Sequence, residues 1–77
     1  MPHVIVKLYP GRSEQQKTRL AEEIVKDVVA IAKCGEEAVS VAIEEIKPED
    51  WAERVHKPDI LGKPESLYKK PGYDPLR

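Results

Sequence analysis

The chain has 77 residues, 40% of them hydrophobic, with 13 basic and 14 acidic side chains and a formal net charge of -1. That length allows a single domain over residues 1–77, with a core too small to stand without a disulfide, a metal or a partner subunit. The one cysteine excludes an internal disulfide, His3 and His56 lie too far apart for a zinc motif, and the balanced charge argues against a nucleic-acid partner. Association with further copies of the chain is what remains. No apolar run is long enough for a membrane span or the core of an export signal, and the lone Cys34 favours a reducing cytoplasm.

Residues His3 to Tyr9 predict a strand, with Val4, Val6 and Leu8 on one face and His3, Ile5, Lys7 and Tyr9 on the other. Ile5 spoils the alternation, as suits a strand covered on both sides in its middle. Pro10-Gly11 ends it. Ser13 and Gln16 form an S-x-x-Q capping box, and Glu14 adds negative charge to the first turn of a helix over about Glu14 to Lys33. Leu20, Ile24, Val28 and Ile31 mark its apolar stripe, widened by Ala21, Val25, Val29 and Ala32. Lys17, Glu22, Glu23, Lys26 and Asp27 make the solvated face, and Gly35 suits a left-handed cap.

Val39 to Ile46 predict the second strand, with Val39, Val41 and Ile43 alternating against Ser40, Ala42 and Glu44. Strand, helix, strand with a crossover of this length implies a parallel pair and a right-handed connection. Two strands are too small a sheet alone, so oligomerisation is expected to complete it. Lys47-Pro48-Glu49-Asp50 is a turn, after which Trp51, Ala52 and Val55 suit one apolar turn of helix. Five of the seven prolines fall between Pro48 and the end, with Ile60, Leu61, Leu67, Tyr68 and Tyr73 scattered among them. This is too apolar for a plain disordered tail and too proline-rich for a long helix. The expectation is a core over about residues 2–55 and an arm over about 56–77, with one short helix near Glu65–Lys70, laid on a neighbouring subunit.

Pro2 is the most informative residue for chemistry. Removal of Met1 leaves a free secondary amine, and an α-amino group titrates near pKa ~8. An apolar pocket or a nearby cation lowers that further, toward the range where a general base works best. Met-Pro is also a common way for a chain to begin, so the neighbours matter. Pro2 leads directly into the first strand, whose far end delivers Arg12 to a helix N-terminus. Such a terminus attracts anions, and an arginine clamps a carboxylate through two parallel hydrogen bonds. Arg12 as an exposed loop charge is the plainer alternative. Trp51 suits equally the wall of an apolar pocket and an anchor of the core.

Met-Pro before an alternating strand, then Gly11-Arg12-Ser13, Glu14, Gln16-Lys17 and an amphipathic helix into a second strand resembles the 4-oxalocrotonate tautomerase family. The resemblance runs from Pro2 to about Trp51. The tail Lys69-Lys70-Pro71-Gly72-Tyr73, and Trp at position 51, resemble a longer dimeric bacterial branch that acts on phenylpyruvate-type enols. What the resemblance implies is an α+β fold of the β-α-β tautomerase type, loss of Met1, Pro2 as acid–base catalyst without metal or cofactor, Arg12 on the substrate carboxylate or carbonyl, and Trp51 as an aromatic wall. Hexameric members carry a second substrate-binding arginine where this chain has Ser40. A dicarboxylate is therefore expected to be a poor substrate, and a monocarboxylate enol with an aromatic or short unsaturated tail a better one. The implied partners are that small molecule and a second copy of the chain in a homodimer, with a hexamer as the alternative. His3 and Lys7 fit solvated or interface positions.

Two other functions fit the same residues. A hydrolytic dehalogenase of the same family would use Glu53 to activate water, although an exposed helix charge explains Glu53 equally well. A non-catalytic dimeric module would hold an anion at Arg12, and retention of Met1 would favour it.

Overall fold

The alternating β-branched residues at the start of the chain form strand β1, His3–Leu8, and those after the helix form β2, Ser40–Glu45. The computed structural model describes residues 1–76. β1 and β2 pair in parallel, with His3 opposite Ser40, Val6 opposite Ile43 and Leu8 opposite Glu45. Between them runs helix α1, Glu14–Ala32. The capping box forms as the sequence predicts: Gln16 N–H donates to Ser13 Oγ at 3.1 Å, and Ser13 N–H donates to Gln16 Oε1 at 2.8 Å. A small α+β unit with a parallel strand pair and a crossover helix is thus the fold the pattern implies.

The chain divides into two compact units, an N-terminal one, Met1–Glu45, and a C-terminal one that begins at Ile46. In the N-terminal unit Val41 and Ile43 of β2 face Lys17, Thr18 and Ala21 of α1. No residue of α1 is buried, and Leu20 and Ile31 of its predicted stripe stand 38% and 80% exposed. Two local expectations are corrected. Lys17 is not on the solvated face: its flexible stem carries the ammonium to Glu45 on β2, 3.4 Å away, and to Glu14, 2.7 Å away. The left-handed residue after α1 is Lys33, at φ 59°, not Gly35, whose φ is -80°. The helix ends earlier than the glycine, and Gly35 instead leads into a 3₁₀ turn at Glu36–Ala38.

The C-terminal unit opens with a 3₁₀ turn, Pro48–Asp50, and continues as a ten-residue helical segment of the π type, Ala52–Leu61. The sequence predicted one turn there and an arm from residue 56. The segment instead runs through Pro58. The wider i→i+5 spacing, seen where Gly62 N–H donates to Lys57 O at 2.8 Å, loosens the turn in which a proline ring would meet the carbonyl four residues back. Ile46, Val55 and His56 are this unit's buried residues. The expected short helix near Glu65–Lys70 is a single 3₁₀ turn at Pro64–Ser66. Among the described residues no helix is long and apolar enough to cross a membrane.

Candidate active site

Pro2, Arg12 and Ser40 belong to the N-terminal unit, and the sheet brings two of them together. Pro2 is half-buried at the head of β1, and its carbonyl accepts a hydrogen bond from Ser40 N–H at 3.1 Å. Ser40 is also the register partner of His3, and its Oγ lies 2.6 Å from His3 Nδ1, with the donor set by the imidazole tautomer. The residue on each side of the peptide that carries Pro2's carbonyl is therefore tied to the start of β2. Met1, whose removal would free the Pro2 nitrogen, is fully exposed. While Met1 remains, that nitrogen is an amide and has no basicity to offer.

Arg12 is exposed and stands one residue before the N-cap of α1. Gly11 delivers it there from the end of β1 with φ 128°, a backbone angle that side-chain-bearing residues rarely adopt. The capping box next door fixes the start of α1, and Arg12 precedes that start with its side chain exposed.

Trp51 and Glu53 belong to the C-terminal unit. Trp51 is half-buried at the junction between the Pro48–Asp50 turn and the π-type segment, and its Nε1–H donates to Tyr73 Oη at 3.0 Å. Glu53 is exposed and forms an ion pair with Lys57 one turn on, a contact that accounts for it structurally. The same unit holds a cavity of about 330 Å³ walled by Ile60, Leu67, Lys70 and Tyr73 as well as His56 and Asp74. His56 is 4% exposed; its Nε2 is 4.0 Å from Asp74 Oδ1, and its buried Nδ1 has no hydrogen-bond partner among the described residues. Among those residues no three His, Cys, Asp or Glu side chains gather as a metal site.

Sequence reasoning placed Tyr73 among scattered apolar residues and in the tail that resembles the longer branch, and gave it no role in the site. The signal that finds it is chemical: a half-buried indole N–H needs an acceptor, and a tyrosine hydroxyl in a proline-rich tail is one of few candidates.

Residues 2–57 match the family model described as tautomerase enzyme. A protein of Xylella fastidiosa (strain 9a5c) named "Probable tautomerase" is 41% identical over 76 residues, 99% of this chain and 93% of the relative. Tautomerase PptA of Cronobacter sakazakii is 37% identical over 75 residues, 96% of this chain and 99% of the relative. Among solved structures, TomN, a 4-oxalocrotonate tautomerase homologue in the tomaymycin biosynthetic pathway, is similar with a TM-score of 0.63 and 31% identity, over 84% of this chain and 97% of that one. The β-α-β unit and these relatives define a class, small isomerases that shift a proton within a small molecule. The chain belongs to the tautomerase family.

Proposed function

We propose that this tautomerase catalyses a 1,3-proton shift on 2-hydroxy-enoates of the phenylenolpyruvate type, with Pro2 as the general acid–base once Met1 is removed. The observation that carries this reading is the placement of Pro2. It heads β1 with its carbonyl hydrogen-bonded to Ser40 N–H, and Met1, the residue that blocks its nitrogen, lies wholly in solvent. The neutral amine takes the proton of the substrate's 2-hydroxyl. The O–H bonding pair becomes the C2=O π bond, and the C2=C3 pair takes the proton from Pro2 onto C3. Pro2 ends neutral, ready for the next turnover, and no external reagent is consumed. Arg12 holds the carboxylate and offsets charge that develops on the oxygen. Trp51 supplies the apolar wall for the aryl group. Ser40 stands where a second arginine would hold another carboxylate, and its hydroxyl is engaged with His3; this favours a monocarboxylate.

The working form is a cytoplasmic homodimer. What supports association is apolar surface that the protomer leaves uncovered: Ile5 at 51% exposed and Ile31 at 80%. The test of the reaction is ketonisation of phenylenolpyruvate, followed by ultraviolet absorbance on protein whose intact mass shows Met1 removed. Fast turnover that falls in Pro2→Ala supports the reading. No turnover by the processed protein sinks it for this substrate class.

A further inference from the structure

We propose that Tyr73 is a positioning residue for Trp51, so that the C-terminal tail takes part in selecting aryl substrates; this rests on the reading of Trp51 as the aromatic wall. An indole has one hydrogen-bonding atom, its Nε1–H, so an acceptor on that atom selects one orientation of the ring. Here Tyr73 Oη is such an acceptor, at 3.0 Å.

Tyr73 is itself fixed on the C-terminal unit. Its ring centroid lies 6.2 Å from that of His56, tilted by 44°, and His56 is buried in the π-type segment. The next residue, Asp74, brings Oδ1 to 4.0 Å from His56 Nε2 and accepts Leu76 N–H at 2.9 Å, which closes a short turn behind the tyrosine. The tail is therefore latched to the segment that begins beside Trp51 at two points, the indole and the imidazole. Burial does not account for the tyrosine, because Tyr73 remains 50% exposed. Its hydroxyl makes the specific contact, which is what a positioning role requires and a packing role does not.

Trp51 is the only tryptophan in the chain, so its fluorescence reports this contact without reference to activity. The experiment is Tyr73→Phe, which removes one oxygen and keeps the ring. The expected result has three parts: altered Trp51 emission, KM for phenylenolpyruvate raised about 2- to 10-fold as for loss of one hydrogen bond, and a smaller change in kcat. A 2-hydroxy-enoate with a short unsaturated tail is expected to keep its KM, because it does not reach the wall. Unchanged emission overturns the proposal, and so does altered emission with an unchanged KM for the aryl substrate. Trp51→Ala, measured beside it, separates the two readings. A raised KM there with wild-type values in Tyr73→Phe removes Tyr73 alone. An unchanged KM in Trp51→Ala removes the wall, and Tyr73's purpose with it.

Discussion

The N-terminal unit holds both strands and the long helix, yet none of its described residues is buried. The C-terminal unit is 3₁₀ turns, a π-type segment and a tail, yet Ile46, Val55 and His56 are all its own. Regularity and burial are thus separated in this chain. Local signals suffice to set a strand or helix, because hydrogen bonds and caps act within a few residues. Stability of a unit needs apolar surface removed from water, and the N-terminal unit has yet to hide its share. Its regular framework positions two residues of the proposed site: half-buried Pro2 at a strand head and exposed Arg12 at a helix start.

The largest expected effect tests that division of labour. Pro2→Ala in processed protein is expected to lower kcat by about 10²- to 10⁴-fold, the usual contribution of a general base, with the melting temperature unchanged. A large loss of stability instead would make Pro2 a structural residue. Next in size is a matched pair of truncations. Ile46→Ala, at a side chain only 2% exposed, is expected to cost about 2–5 kcal/mol in denaturant unfolding. Ile31→Ala, at 80% exposed, is expected to cost within about 0.5 kcal/mol in a dilute protomer. If Ile31→Ala proves as costly as Ile46→Ala, and more so as protein concentration rises, the exposed face of α1 is covered by another copy and the contrast between units belongs to the protomer alone.

The same contrast explains what was legible in the sequence. β1, α1, the capping box and β2 followed from periodicity and cap chemistry within one or two residues of their ends. Pro2, Arg12 and Ser40 were legible as candidates because a strand head, a helix start and a register position follow from those elements. The C-terminal unit was not legible in the same way. Pro58 reads as a helix stop, and only the i→i+5 spacing lets the segment pass through it. Lys17 was misplaced because helical position fixes its Cβ and not the end of a flexible four-carbon stem. The role of Tyr73 was missed because its contact with Trp51 joins residues 22 apart, across the π-type segment and the irregular tail, where no single periodicity relates the two.

A smaller effect probes the local signals themselves. Ser13→Ala removes the acceptor of Gln16 N–H and leaves the reciprocal bond to Gln16 Oε1 without its partner geometry. The expected loss is about 1 kcal/mol, read by thermal unfolding. Because Arg12 precedes this cap, KM is expected to rise in parallel. A Ser13→Ala protein with lower stability and an unchanged KM would show that Arg12 does not depend on the locked helix start.

The smallest effect concerns Lys17, a polar stitch between α1 and β2. Its ammonium is held above the ordinary lysine pKa, first by the hydrogen bond to Glu14; desolvation opposes this, and the charges of Glu14 and Glu45 and a hydrogen bond to Glu45 add to the rise. The sign follows from linkage. A group whose pKa is raised by folding stabilises the fold fully at every pH below its unfolded value, and that contribution disappears as pH climbs through the raised folded value. Wild type is therefore expected to melt slightly above Lys17→Met, by the same margin across neutral and mildly alkaline pH, with the margin closing only in the strongly alkaline range. Salt is expected to narrow it at any pH, because Glu14 is largely exposed. A margin that widens with pH would reverse the sign and mean that the neutral amine is the form the fold prefers. A margin indifferent to both pH and salt would reduce Lys17 to the packing of its stem against the sheet.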